Sequence, residues 1–70
     1  MDLTKAIEQK EYIIKDIVTD DDELNSFLFS LGCYSGEIIT VVSHLKNCCI
    51  ILIKDSRYSI DLELARAIHI

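Results

Sequence analysis

The clearest periodicity in the chain lies in its first half. Leu24, Phe27, Leu28 and Leu31 fall at i, i+3, i+4 and i+7, the spacing that brings four side chains to one face of a helix. The acidic run Asp20-Asp21-Asp22-Glu23 stands just before them. An Asp at that point accepts hydrogen bonds from the orphan N–H groups of the first turn, and its charge meets the positive end of the helix dipole. Gly32 follows the last leucine and supplies the left-handed residue on which helices commonly end. The pattern predicts one helix from the acidic run to Gly32, with the four apolar residues facing the core.

On either side the period shortens to that of strands. Tyr12 to Val18, β-branched and aromatic after the polar stretch Glu8 to Glu11, predicts a first strand. Cys33-Tyr34-Ser35-Gly36 reads as a turn in which Gly36 takes a positive φ, leading into a second strand, Glu37 to Ser43. Leu45-Lys46-Asn47 connects it to Cys48–Lys54, a continuous apolar run suited to a strand buried on both faces. Asp55-Ser56 turns into a further strand, Arg57 to Ile60. Asp61 then caps a short helical turn, Leu62 to Ala67, and Ile68-His69-Ile70 ends the chain as a strand with both isoleucines on one side. Brief, evenly spaced strands with tight turns predict an all-β fold, a small barrel of about five strands with one α-helix and a short helical turn. The final strand is expected to close the barrel and remove an exposed edge.

Composition narrows the function more than the fold. Seventy residues with no Pro and two Gly make a single domain, 1–70, without a linker. A domain of this size buries only about 60% of its unfolded surface, and an enclosed substrate cavity would consume much of so thin a core. The formal net charge is −5 and no basic tract interrupts it, which argues against binding nucleic acid, whose phosphates demand clustered Lys and Arg. The apolar run Cys48 to Ile53 is too short to cross a bilayer, and the first residues lack the regions of a signal peptide. A cytoplasmic protein without membrane insertion is expected. An odd number of cysteines, two of them adjacent, suits reduced thiols rather than a disulfide framework.

Candidate chemistry is sparse. His44, His69, Cys33, Cys48, Cys49 and the acidic run are the available metal ligands, yet none has ligand spacing, and Cys48 and Cys49 project to opposite faces of a strand. No metal site, no cofactor and no catalytic residues are therefore assigned. The acidic run lacks the spaced oxygens and Gly of a calcium loop and reads as a solvated helix cap. No Ser or Cys sits in an elbow turn and no glycine-rich phosphate loop occurs, so the chain is not expected to be an enzyme. Phe29, one position off the helical stripe and close to Tyr34, forms instead an exposed apolar patch of the kind that marks a binding face. Tyr12, Tyr34 and Tyr58 are too dispersed to seat a polyproline ligand.

Leu28-Phe29-Ser30-Leu31-Gly32-Cys33-Tyr34-Ser35-Gly36-Glu37, with Leu3 ahead of the first strand and the tail Ile60 to Ile70, resembles the FeoA family. The central segment is similar to its L-x-x-L-G-(apolar)-x-x-G core, and the tail to its L-x-x-x-x-A-x-x-I-x-V ending. The likeness runs nearly end to end and implies an SH3-like barrel. It further implies a cytoplasmic accessory or regulator of bacterial ferrous iron uptake whose partner is the FeoB transporter, at its G-protein domain. On that resemblance the partner surface is expected on the helix and the turn after it, with Phe29, Tyr34 and Ser35 in contact and Leu28 and Leu31 supporting from the core side. Two features depart from the family: acidic and uncharged residues stand where basic ones are common on the helix, and Ser43 to Asn47 replaces a Gly or Pro connection. The module also resembles the C-terminal SH3-like domain of metal-dependent repressors of the diphtheria-toxin-repressor kind, which keeps a free-standing metal-responsive or metal-carrying module as the alternative. A weak homo-oligomer stays open.

Overall fold

The computed structural model describes residues 1–70. Strand β1 (Glu11–Ile13) and strand β2 (Asp16–Ile17) precede helix α1 (Asp22–Leu31). Then come β3 (Ile38–His44), β4 (Cys48–Ile53), β5 (Ser56–Asp61), the short helix α2 (Leu62–Ala67) and β6 (Ile68–His69). Four strands form an antiparallel sheet in the order β1-β3-β4-β5, and β2 pairs with β6 in a second sheet of two strands. The result is the expected mostly β, SH3-like architecture, with six short strands rather than five.

The core forms where the inner faces of the two sheets meet α1, α2 and the chain's first residues. Leu3, Ile14, Leu28, Ile39, Val41, Ile51, Ile53, Ile60 and Ile68 are fully enclosed there. Leu3 lies in a 3₁₀ turn, Leu3–Lys5, that the strand and helix patterns do not reveal. Asp2 caps this turn, accepting from the N–H and the hydroxyl of Thr4, and these bonds hold its carboxyl below the usual carboxylate range. Asp21 caps α1 by accepting from the N–H groups of Glu23 and Leu24 at 2.9 and 3.3 Å, and Asp61 caps α2 through Leu64 N–H at 2.9 Å.

Four expectations need correction. The single strand over Tyr12 to Val18 is two strands in different sheets: Ile14 N–H bonds Glu37 O, whereas Lys15 N–H turns to His69 O. Burial of Ile14 at this crossing supplies the reason, since the chain bends around that side chain to pass from one sheet to the other. Strand β4 is not buried on both faces but alternates, with Cys49, Ile51 and Ile53 inside and Cys48, Ile50 and Leu52 half-covered. A two-layer domain of this length has elements enough to cover only one face of the central sheet. Phe27 leaves the helical stripe and is 47% exposed, while Leu28 is buried and Leu24 and Leu31 pack partly against the core. A ten-residue helix resting on a small sheet presents a narrower apolar seam than four side chains. Finally, β6 pairs with β2 and bridges Asp2 through His69 but does not join the four-stranded sheet, so the closing strand does not seal a barrel.

Candidate partner surface

Helix α1 ends on Gly32 at φ 98°, ψ 11°. This left-handed residue lets Cys33 N–H reach back to Leu28 O at 2.9 Å, and the chain reverses tightly into Tyr34. The reversal carries Tyr34 beneath the last turn of the helix, where its ring centroid lies 5.0 Å from that of Phe29 at an interplanar angle of 37°. Phe29 is 65% exposed. The pair is a tilted aromatic contact held on the outside of the fold.

Two further elements complete the surface. The turn between β4 and β5 places Lys54 and Asp55 at φ 49° and 65°, the doubly left-handed geometry of a tight hairpin. It delivers the Lys54 ammonium to 5.1 Å from the Tyr34 ring centroid and 3.1 Å from Glu37 Oε1. Tyr34 first, and then Glu37, raise the Lys54 pKa above its ordinary value. Tyr58 of β5 lines the same hollow together with Phe29, Ser30, Leu31, Gly32, Tyr34 and Lys54. An open, aromatic-walled depression with one cation over a ring can accept an apolar side chain and, at its rim, an acceptor group.

The five residues singled out in the sequence therefore fare differently. Phe29 and Tyr34 come together at the surface, Leu31 lines the hollow from the helix side, and Leu28 sits wholly inside. The Ser35 hydroxyl donates to Lys15 O at 2.8 Å, so its one proton is committed to fastening the turn to the start of β2. Sequence reasoning missed Lys54, Glu37 and Tyr58. The hairpin register, Leu52 opposite Arg57 and Ile51 opposite Tyr58, is the signal that places Tyr58 near the turn, but it emerges only once both strands are aligned. Tyr12 lies elsewhere, its hydroxyl accepting from Ile7 N–H at 3.0 Å.

The thiols are spread over the fold. Cys33 and Cys49 are buried and Cys48 is half-covered, and desolvation pushes the Cys33 thiol up to about 11. Cys49 is raised as well, by desolvation and then by neighbouring Cys48. His44 and Cys49 are register partners across β3 and β4, a pairing that the sequence reading did not draw. His44 Nε2 lies 2.7 Å from Ala6 O, and since a carbonyl only accepts, Nε2 carries the proton. In the neutral ring Nδ1 is then the acceptor facing Cys49 Sγ at 3.6 Å. No group of three or more His, Cys, Asp or Glu side chains is placed to hold a metal ion, and no helix is long and apolar enough to cross a membrane.

Similar proteins share this fold. A crystal structure described as the iron uptake regulatory protein FeoA is 25% identical, with 97% of this chain and 91% of that one covered at a TM-score of 0.86. The zinc complex of Stenotrophomonas maltophilia FeoA, described as a prokaryotic SH3 domain protein, is 15% identical at a TM-score of 0.85, covering 97% and 86%. A manganese-dependent transcriptional repressor shares the fold at a TM-score of 0.85 and 14% identity, with 97% of this chain laid over 39% of the repressor. No curated protein matches the chain. The family model for the FeoA domain matches residues 1–70, the whole of the chain, and the chain belongs to the FeoA family.

Proposed function

We propose that this chain is a cytoplasmic accessory protein of bacterial ferrous iron uptake, acting by contact with the cytoplasmic G-protein domain of a FeoB-type transporter rather than by catalysis. The observation that carries the reading is the exposed Phe29–Tyr34 pair at 5.0 Å, set on a rigid helix end and walled by Tyr58 and Lys54. Aromatic anchors in a shallow hollow are the residues that dominate binding energy in protein interfaces. Membership of the FeoA family supports the choice of partner, as does the description of the Stenotrophomonas relative as a candidate activating factor of ferrous iron transport.

The experiment is a binding titration of the purified chain against the isolated cytoplasmic domain of the transporter. Phe29→Ala is expected to weaken association at least about tenfold while leaving stability within about 0.5 kcal/mol, because an exposed side chain loses little on truncation. Tyr34→Ala weakens binding likewise. Ser35→Ala leaves it unchanged, since that hydroxyl is engaged with Lys15 O. Normal binding by both Phe29→Ala and Tyr34→Ala would move the partner face elsewhere.

A further inference from the structure

The hollow beside Phe29 carries a charge opposite to that of the chain around it. Acidic residues outnumber Lys and Arg twelve to seven, yet of the residues that line the hollow Lys54 alone is charged. The acidic cap of α1 stands at the far end of a ten-residue helix, about 15 Å away at the rise of an α-helix and beyond the roughly 8 Å within which exposed charges act at physiological salt. Lys54 is also held in place. Its stem lies against Gly32, so close that a Cβ there would meet Cδ at 2.8 Å, and its ammonium rests 5.1 Å from the Tyr34 ring centroid and 3.1 Å from Glu37 Oε1. An ammonium has three donors. Glu37 takes one of them and shows what the position accepts, a carboxylate. The Lys54 and Glu37 side chains are 46% and 31% exposed, and a pair so open to water is held weakly, so a second carboxylate can share the ammonium or displace Glu37.

We infer that the hollow recognises an acidic segment of the partner protein: an apolar side chain enters the space walled by Phe29, Tyr34 and Tyr58, and a neighbouring Asp or Glu binds Lys54 in competition with Glu37. The inference rests on the partner reading above and adds to it the sign of the partner's charge. A basic segment entering the same hollow would bring its cation against Lys54, and like charges brought together across an interface oppose association. Lys54 and Glu37 therefore act in opposite senses on the partner, the first attracting its carboxylate and the second competing with it.

The test is the titration of the whole chain against the transporter's cytoplasmic domain, run at about 50 mM and at about 500 mM salt. At the lower salt Lys54→Met, which keeps a stem over Gly32 and removes the charge, is expected to weaken association about fivefold, while Lys54→Arg keeps it within about twofold. Glu37→Gln withdraws the competing carboxylate and strengthens association about twofold. Raising the salt shrinks the Lys54→Met effect to within about twofold, which the loss of a packing contact would not do. Three outcomes overturn the inference while Phe29→Ala still weakens binding and the surface itself stands. They are a Lys54→Met variant that binds normally at low salt, a Lys54→Met loss that high salt does not shrink, and weaker binding by Glu37→Gln, the mark of a basic segment. Normal binding by both Phe29→Ala and Tyr34→Ala defeats the partner reading and this inference with it.

Discussion

Replacing Gly32 by Ala probes the point at which helix α1, the aromatic pair and the β4–β5 turn meet. At φ 98° an L-residue is strained, and occupying the left-handed region costs about 1–2 kcal/mol. A methyl group there would lie 2.8 Å from Lys54 Cδ and 2.9 Å from Cε, inside any ordinary contact. Those atoms belong to a flexible, exposed side chain, so the clash is relieved by Lys54 swinging away from Tyr34 and Glu37. Gly36 provides the control, for it stands at φ 94° with nothing within 4 Å of the Cβ position. Both variants are expected to lose about 1–2 kcal/mol, a fall of roughly 4–16 °C in melting temperature for a domain of this size. Only Gly32→Ala displaces Lys54. Thermal unfolding followed by circular dichroism gives the first quantity. The ring-current shift of the Lys54 side chain over Tyr34 gives the second, lost in Gly32→Ala and kept in Gly36→Ala. An unchanged melting temperature, or a Lys54 shift insensitive to Gly32→Ala, would refute the reasoning.

Leu28→Ala should lower stability by about 2–5 kcal/mol, because it empties a fully enclosed site, whereas Phe27→Ser should change it by no more than about 0.5 kcal/mol; urea unfolding distinguishes the two. Asp21→Ala removes the acceptor for Glu23 and Leu24 N–H and is expected to cost about 1 kcal/mol by the same measurement. Stability should also fall in alkali. The Cys33 thiol, held at about 11 against an ordinary 9.0, keeps its proton in the folded chain after the unfolded chain has released it. Its contribution is complete below pH 9 and declines as pH rises to 11, since the unfolded state binds fewer protons there. Cys33→Ala should flatten that part of the urea-midpoint profile while lowering stability at neutral pH.

Features written in a few consecutive residues were legible. The cap at Asp21, the stop at Gly32, the cap at Asp61 and the inward pairing of Ile68 with Ile70 all follow from local dihedral and hydrogen-bonding rules, and the structure has each of them. Phe29 beside Tyr34 was equally accessible, because a glycine-ended helix reverses the chain within a fixed few residues. The bond from the Ser35 hydroxyl to Lys15 O was not legible, because a hydroxyl in a turn has backbone acceptors within reach that the sequence does not identify. Phe27 was misjudged because helical periodicity gives the centre of an apolar face and not its width.

By itself, then, the sequence determined the helix and its two ends, the positions of the strands to within a few residues, and the absence of a nucleic-acid-binding charge pattern. Tertiary structure alone decided which sheet each strand joined. It split the Tyr12–Val18 segment at buried Ile14, left one face of β4 half-covered, and carried Tyr58 and Lys54 to the aromatic pair. The difference is one of range. Caps and turns draw on neighbours along the chain, whereas register, twist and the limited area of a small core depend on residues far apart in sequence, and a one-residue change in register would send every side chain of a strand to its opposite face.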